Sequence, residues 1–139
     1  MFTLALPPGV ETPVHDHLAW GLVGSYDGAR TEEFYRRTDD GETDVGPVDL
    51  EHLRTEEMRE GDFDELVAPS NDIHQVRTSS GVPSVSVHLL GADVGCIQRH
   101  RFDPDDEFVE LFQSHDTNVR CEEALAPPDQ HGHTQSHGH

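Results

Sequence analysis

Residues 12–21 read TPVHDHLAWG, and this stretch, taken with PSNDIH at 69–74, decides the fold. Side chains of an extended chain alternate between faces, so His15 and His17 point to one side and Asp16 to the other. Two imidazoles on one face can reach one metal ion, although alone they are as readily two satisfied polar groups of a strand. In the second stretch Pro69 and Asn71, a residue tolerant of left-handed backbone, predict a tight turn that aims His74 inward from the next strand.

Working outward, short apolar-rich runs alternate with Gly, Pro, Asp and Asn, the rhythm of an all-β domain. Strands are predicted at Phe2–Leu6, Leu18–Tyr26, Arg30–Arg37, Leu53–Arg59, Phe63–Val67, Ile73–Thr78, Ser84–Leu90, Cys96–Phe102 and Phe108–Phe112. Asp27-Gly28 carries the tight-turn chemistry of a hairpin joining the second and third of these. Residues 38–49 read as an acidic loop. Eight or nine short strands without a long amphipathic helix suggest a barrel or jelly roll, whose interior must hold most of the apolar side chains. Residues 1–118 form that barrel in this reading, and 119–139, acidic and His-rich with little to bury, form a disordered tail.

The chain has 139 residues, with 28 acidic and 9 basic side chains, giving a formal net charge of -19. This points to one small domain. All nine basic residues are arginine, and the carboxylates are spread along the chain, as on a halophilic protein whose self-repulsion molar salt relieves. A codon-driven preference for arginine is the plainer alternative. Nucleic acid and anionic membrane carry the same sign as this surface and are poor partners. No run approaches the ~20 apolar residues of a membrane-spanning helix, and the N-terminus lacks the basic opening of a secretory signal, so a cytoplasmic location is expected. Cys96 and Cys121 are too few for a disulfide framework or a Cys-rich zinc site.

HxHxxWG, a glycine about 40 residues later, and then PxNxxH resemble the two motifs of the cupin superfamily. That resemblance implies a small double-stranded β-helix, or jelly-roll, barrel with a metal on His15, His17 and His74. Many cupins add a glutamate ligand four or five residues after the second histidine, but Gly21 and Leu22 stand there in this chain. The expected donor set is three neutral imidazoles, which leaves the charge of a divalent ion uncompensated and favours an anionic ligand.

TPVHDHLAWGLVGSYDG, DIHQV, SVSVHLLGADVG and RHRFD resemble, more narrowly, the thiol dioxygenase branch of cupins, the bacterial 3-mercaptopropionate and cysteine dioxygenases. The likeness runs from about Leu4 to Asn118. It implies Fe(II) on the three histidines and the addition of both atoms of O2 to the sulfur of a small carboxylate-bearing thiol, giving its sulfinate. Ser86 and His88 match the first two members of the family's Ser-His-Tyr relay and are the implied catalytic pair; Leu90 stands where the tyrosine would be. Arg99 matches the arginine that binds the substrate carboxylate, a role suited to a guanidinium fork. Trp20 is expected behind the metal ligands rather than among them.

Other features lie beside or against this pattern. Only 14 residues precede His15, where the family has a longer section, and His115 replaces a common aromatic. His52 and His100 have no motif and are expected to be satisfied or exposed. The tail histidines His131, His133, His137 and His139 suit loose metal binding. A homodimer is one way to cover exposed barrel edges. Two rivals stand beside the dioxygenase: a cupin using Zn, Mn or Ni at the same histidines, and a binding cupin without turnover.

Overall fold

A computed structural model describes residues 1–68, 71–91 and 97–113. The tail at 119–139 with its histidines, and also Pro69, Ser70, Cys96, His115 and Cys121, lie outside the described residues. Eleven strands are found among the described residues: β1 (Phe2–Leu6), β2 (Val14–His15), β3 (Gly21–Asp27), β4 (Ala29–Arg37), β5 (Gly46–Pro47), β6 (Leu50–Arg59), β7 (Phe63–Leu66), β8 (Ile73–Thr78), β9 (Ser84–Leu90), β10 (Arg99–Asp103) and β11 (Phe108–Phe112). They form two antiparallel sheets, of order β1-β9-β3-β7 and β5-β11-β10-β2-β8-β4-β6. This is the all-β jelly-roll barrel expected from the sequence. No helix among the described residues is long and apolar enough to cross a membrane.

The principal correction concerns the predicted hairpin. β3 pairs with β7 and β9, whereas β4 pairs with β6 and β8, so residues 27 and 28 carry the chain from one sheet to the other. The turn itself has the expected chemistry. Gly28 has φ +70°, a Cβ there would lie 2.6 Å from the carbonyl oxygen of Pro83, and the Asp27 carboxylate accepts the Gly28 N–H at 2.9 Å. A tight turn fixes a reversal of direction, not the partner of the strand that follows.

The histidine pair also departs from expectation. β2 ends at His15, and Leu18 takes a left-handed φ of 55°, so the strand predicted from Leu18 begins only at Gly21. Asn71 is not among the non-glycine residues of positive φ. It builds its turn through its side chain instead, donating to the Glu65 carbonyl and accepting from Arg54 at 2.5 Å.

The interior is half polar. Among the described residues 13 apolar side chains are buried and 14 polar or charged ones, so the space between the sheets is not the apolar core that the composition suggested. Seven of the 13 buried apolar residues gather in two clusters. Val14, Val48, Ile73, Phe102 and Val109 form one, and Leu18 with Ile97 forms the other. Arg30, Glu32, His17, His74, Ser86 and His88 are all buried as well. Buried polar groups on this scale need mutual hydrogen bonds or a ligand.

Candidate metal centre

β2 lies between β10 and β8, and its register sets His15 directly opposite His74. His17 follows β2 by two residues, and its backbone and ring N–H groups both reach the Asp72 carboxylate, which holds the ring at the same point. Ring centroids are 4.9 Å apart for His15–His17 and His15–His74, and 4.8 Å for His17–His74. One ring nitrogen from each lies within 4.8 Å of the others. The structure therefore brings together all three histidines from their two separated stretches.

Each imidazole is held from behind. Nδ1–H of His15 donates to the Pro13 carbonyl at 2.7 Å. Nδ1–H of His17 donates to the carboxylate and carbonyl oxygens of Asp72, both at 3.1 Å. Nδ1–H of His74 faces Glu32 Oε2 at 3.4 Å. With Nδ1 protonated and engaged, Nε2 of each neutral ring is left as the free lone pair, the tautomer a divalent ion requires.

Electrostatics supports neutral rings. Burial, then the neighbouring histidines and Arg99, hold the pKa of His15 well below its usual value. Burial likewise lowers that of His74, against the opposing pull of Glu32. Glu32 itself falls to about 2: burial pushes its carboxyl up, but the hydrogen bond from His74 and the charge of Arg30 outweigh it. Arg30 Nη2 donates to Glu32 Oε1 at 2.5 Å, so His74 is backed by a buried carboxylate with its own counter-ion. Burial also pushes Asp72 upward, and the hydrogen bonds and charge of His17 bring it down.

The trio opens onto a cavity of about 160 Å³, lined also by Arg30, His88, Arg99, Phe112 and the apolar Phe2, Leu4 and Val76. Ser86 Oγ and His88 Nε2 share a hydrogen bond of 2.8 Å, and Phe2 stacks on the His88 ring at 4.6 Å. Burial, then the charge of Arg30, hold the His88 pKa down to about 3. Arg99 is buried, donates from Nη1 to the Asp16 carbonyl at 2.8 Å and stacks over Phe112 at 4.8 Å. Arg101 turns outward to Glu110.

Trp20 is a correction. It is 61% exposed, does not line the cavity and packs on Gly91, where a Cβ would lie 2.3 Å from its Nε1. The small Gly91 gives the indole a seat on the outside, so the ring has no need of the interior. Leu90 packs against the cluster of Leu18 and Ile97 and brings no polar group to the relay position. His100 is satisfied, as expected, between Asp16 at 2.6 Å and Asp44 at 2.8 Å, and the exposed His52 meets Glu33 at 3.1 Å.

Arg30, Glu32, Asp72 and the Asp16–His100 pair were not singled out from sequence. One signal was available for two of them. Arg30 and Glu32 alternate with the apolar Phe34 along β4, and period-two alternation puts all three on the core face. Asp72, beside a turn, reads as an ordinary loop acid.

No family model matches the chain. Among solved structures it is similar to a protein from Acidithiobacillus ferrooxidans provisionally described as a sugar phosphate isomerase: 16% identity, 86% of this chain and 70% of that one, TM-score 0.45. It is also similar to a sugar phosphate isomerase from a cupin superfamily from Silicibacter pomeroyi, with 13% identity, coverage of 87% and 71%, and a TM-score of 0.41. Likenesses this distant carry no argument about chemistry. The site stands on its own geometry.

Proposed function

We propose that this chain is a metal-dependent enzyme that converts a small carboxylate-bearing thiol, of the size of 3-mercaptopropionate or cysteine, to its sulfinate with O2. One observation carries the reading: three imidazoles, each facing an oxygen acceptor through Nδ1, converge with no carboxylate among the donors. The donor set fits Fe(II), which supports an anionic ligand beside it because no ligand carries a counter-charge. Fe(II) held by His15, His17 and His74 would supply the redox chemistry by which a thiolate gains both atoms of O2 and becomes a sulfinate.

The chain's own residues supply the rest. Arg99 and Phe112 form one wall, where a guanidinium can hold a carboxylate in two-point fashion. His88 lines the cavity from the other sheet and, held by its hydrogen bond with Ser86, presents a neutral group that positions the ligand. Phe2, Leu4 and Val76 limit water in the cavity, which strengthens each polar contact made there.

A second reading, a trio holding Zn, Mn or Ni for other chemistry or a ligand without turnover, is favoured by Leu90, which offers no hydroxyl. Two measurements separate them: metal content of protein purified without added metal, and O2 uptake by anaerobically iron-loaded protein in molar salt with 3-mercaptopropionate, cysteine and cysteamine. Thiol-dependent uptake with one sulfinate formed per O2 is expected. Its absence across the panel overturns the proposal.

A further inference from the structure

Arg30 is 2% exposed and lines the cavity, yet its described hydrogen bonding ends at Glu32. Its Nε is buried with no partner, and so is Nδ1 of His88 on the opposite sheet of the same cavity. A guanidinium carries five N–H donors, and buried polar atoms are rarely left unmade. Both side chains line the one cavity. Ser86 can donate its hydroxyl proton to Nε2 of a neutral His88, which puts the ring's own proton on Nδ1. Both orphaned atoms are then donors, and they call for an acceptor.

The charges around the cavity point the same way. Two guanidinium groups, Arg30 and Arg99, line it together with the trio. A divalent ion on the trio makes this enclosure positive inside a chain of net charge -19. In the sheet order β10-β2-β8-β4, Arg99 on β10 and Arg30 on β4 stand on either side of the two strands that carry His15 and His74.

We infer that Arg30 and Nδ1–H of His88 form a second carboxylate subsite, opposite Arg99, and that the cavity favours small ligands carrying a carboxylate at each end. The volume of about 160 Å³ confines the ligand to a small molecule, as a short dicarboxylate is. The inference deepens the proposed function by naming its substrate class, a thiol-bearing dicarboxylate, and rests on that reading only for the thiol.

The test is equilibrium binding by titration calorimetry to zinc-loaded protein in molar KCl, anaerobically, so that no turnover intervenes. Two pairs of probes are compared: mercaptosuccinate with 3-mercaptopropionate, and succinate with propionate. In the wild type the dicarboxylate of each pair should bind about tenfold or more tightly, the worth of a charge-assisted contact. Arg30→Met should bring that ratio to about one, whereas Arg99→Met should weaken both members and leave the ratio above one. His88→Phe, which keeps the stack on Phe2, is the second variant and should cut the ratio roughly 2- to 10-fold. Equal affinities in the wild type, or Arg30→Met and His88→Phe each weakening both members alike, would overturn the subsite. If the thiol-free pair keeps its ratio while no thiol supports O2 uptake, the subsite stands and the dioxygenase reading falls.

Discussion

The carboxylate of Asp72 accepts from three donors: Oδ1 takes the backbone N–H of His17 at 3.0 Å and its Nδ1–H at 3.1 Å, and Oδ2 takes the Leu18 N–H at 3.0 Å. It thereby fixes a metal-site ring and the left-handed turn that follows it, a turn costing a non-glycine residue about 1–2 kcal/mol. Asp72→Asn keeps the shape but has one acceptor oxygen, so it must release part of this clip. Zinc affinity by chelator competition is expected to fall roughly 10- to 100-fold; a change within twofold would count against the role given to Asp72. At this scale the three histidines were readable because ligand chemistry demands particular residues at particular spacings. Their supports were not, since a carbonyl such as that of Pro13 leaves no trace in residue type, and Asp72 or Glu32 could as well have faced water in a chain this acidic.

Strand existence followed from local alternation, and β1, β8, β9 and β11 lie where the apolar runs placed them. Pairing did not follow, because partner choice depends on contacts distant in sequence: the turn at Asp27-Gly28 leads β4 into the other sheet, and only that change of sheet brings Arg30 and Glu32 under His74. Polar links also tie the sheets together, among them one that titrates. Asp64 on β7 meets Glu32 on β4, and burial with the Glu32 charge pushes the Asp64 carboxyl up from 3.8 to about 8. A raised folded-state value means that the proton is bound more tightly in the fold, so this group's contribution is fully present below pH 3.8 and is lost as pH rises through about 8. Asp64→Asn donates the same hydrogen bond without titrating. The melting temperature of the variant, measured against wild type, should coincide near pH 4 and exceed it increasingly from there to pH 8. A gap independent of pH would show that Asp64 is ionised in the fold.

For the molecule as a whole, the balance of charge sets both stability and access to the cavity. The sequence sets nine arginines against 28 carboxylates, and among the described residues Arg30, Arg36, Arg37, Arg54 and Arg101 are seen paired with them. Most of the 28 acidic residues must therefore repel one another. The Debye length falls from ~10 Å at 0.1 M salt to ~3 Å at 1 M, so melting temperature should climb steeply across that range, and more than in isosmolar sucrose. The same field opposes any anion approaching the trio, since long-range steering responds to net charge while the positive enclosure acts only at close quarters. Association of 3-mercaptopropionate should then speed up with KCl, whereas a neutral thiol such as 2-mercaptoethanol should not respond. Stopped-flow binding to the zinc-loaded protein, at temperatures well below melting in every salt, separates this effect from stability. If the two thiols respond alike to salt, the approach to the cavity is not governed by the carboxylate coat, and the anionic ligand must reach its site through a locally positive surface instead.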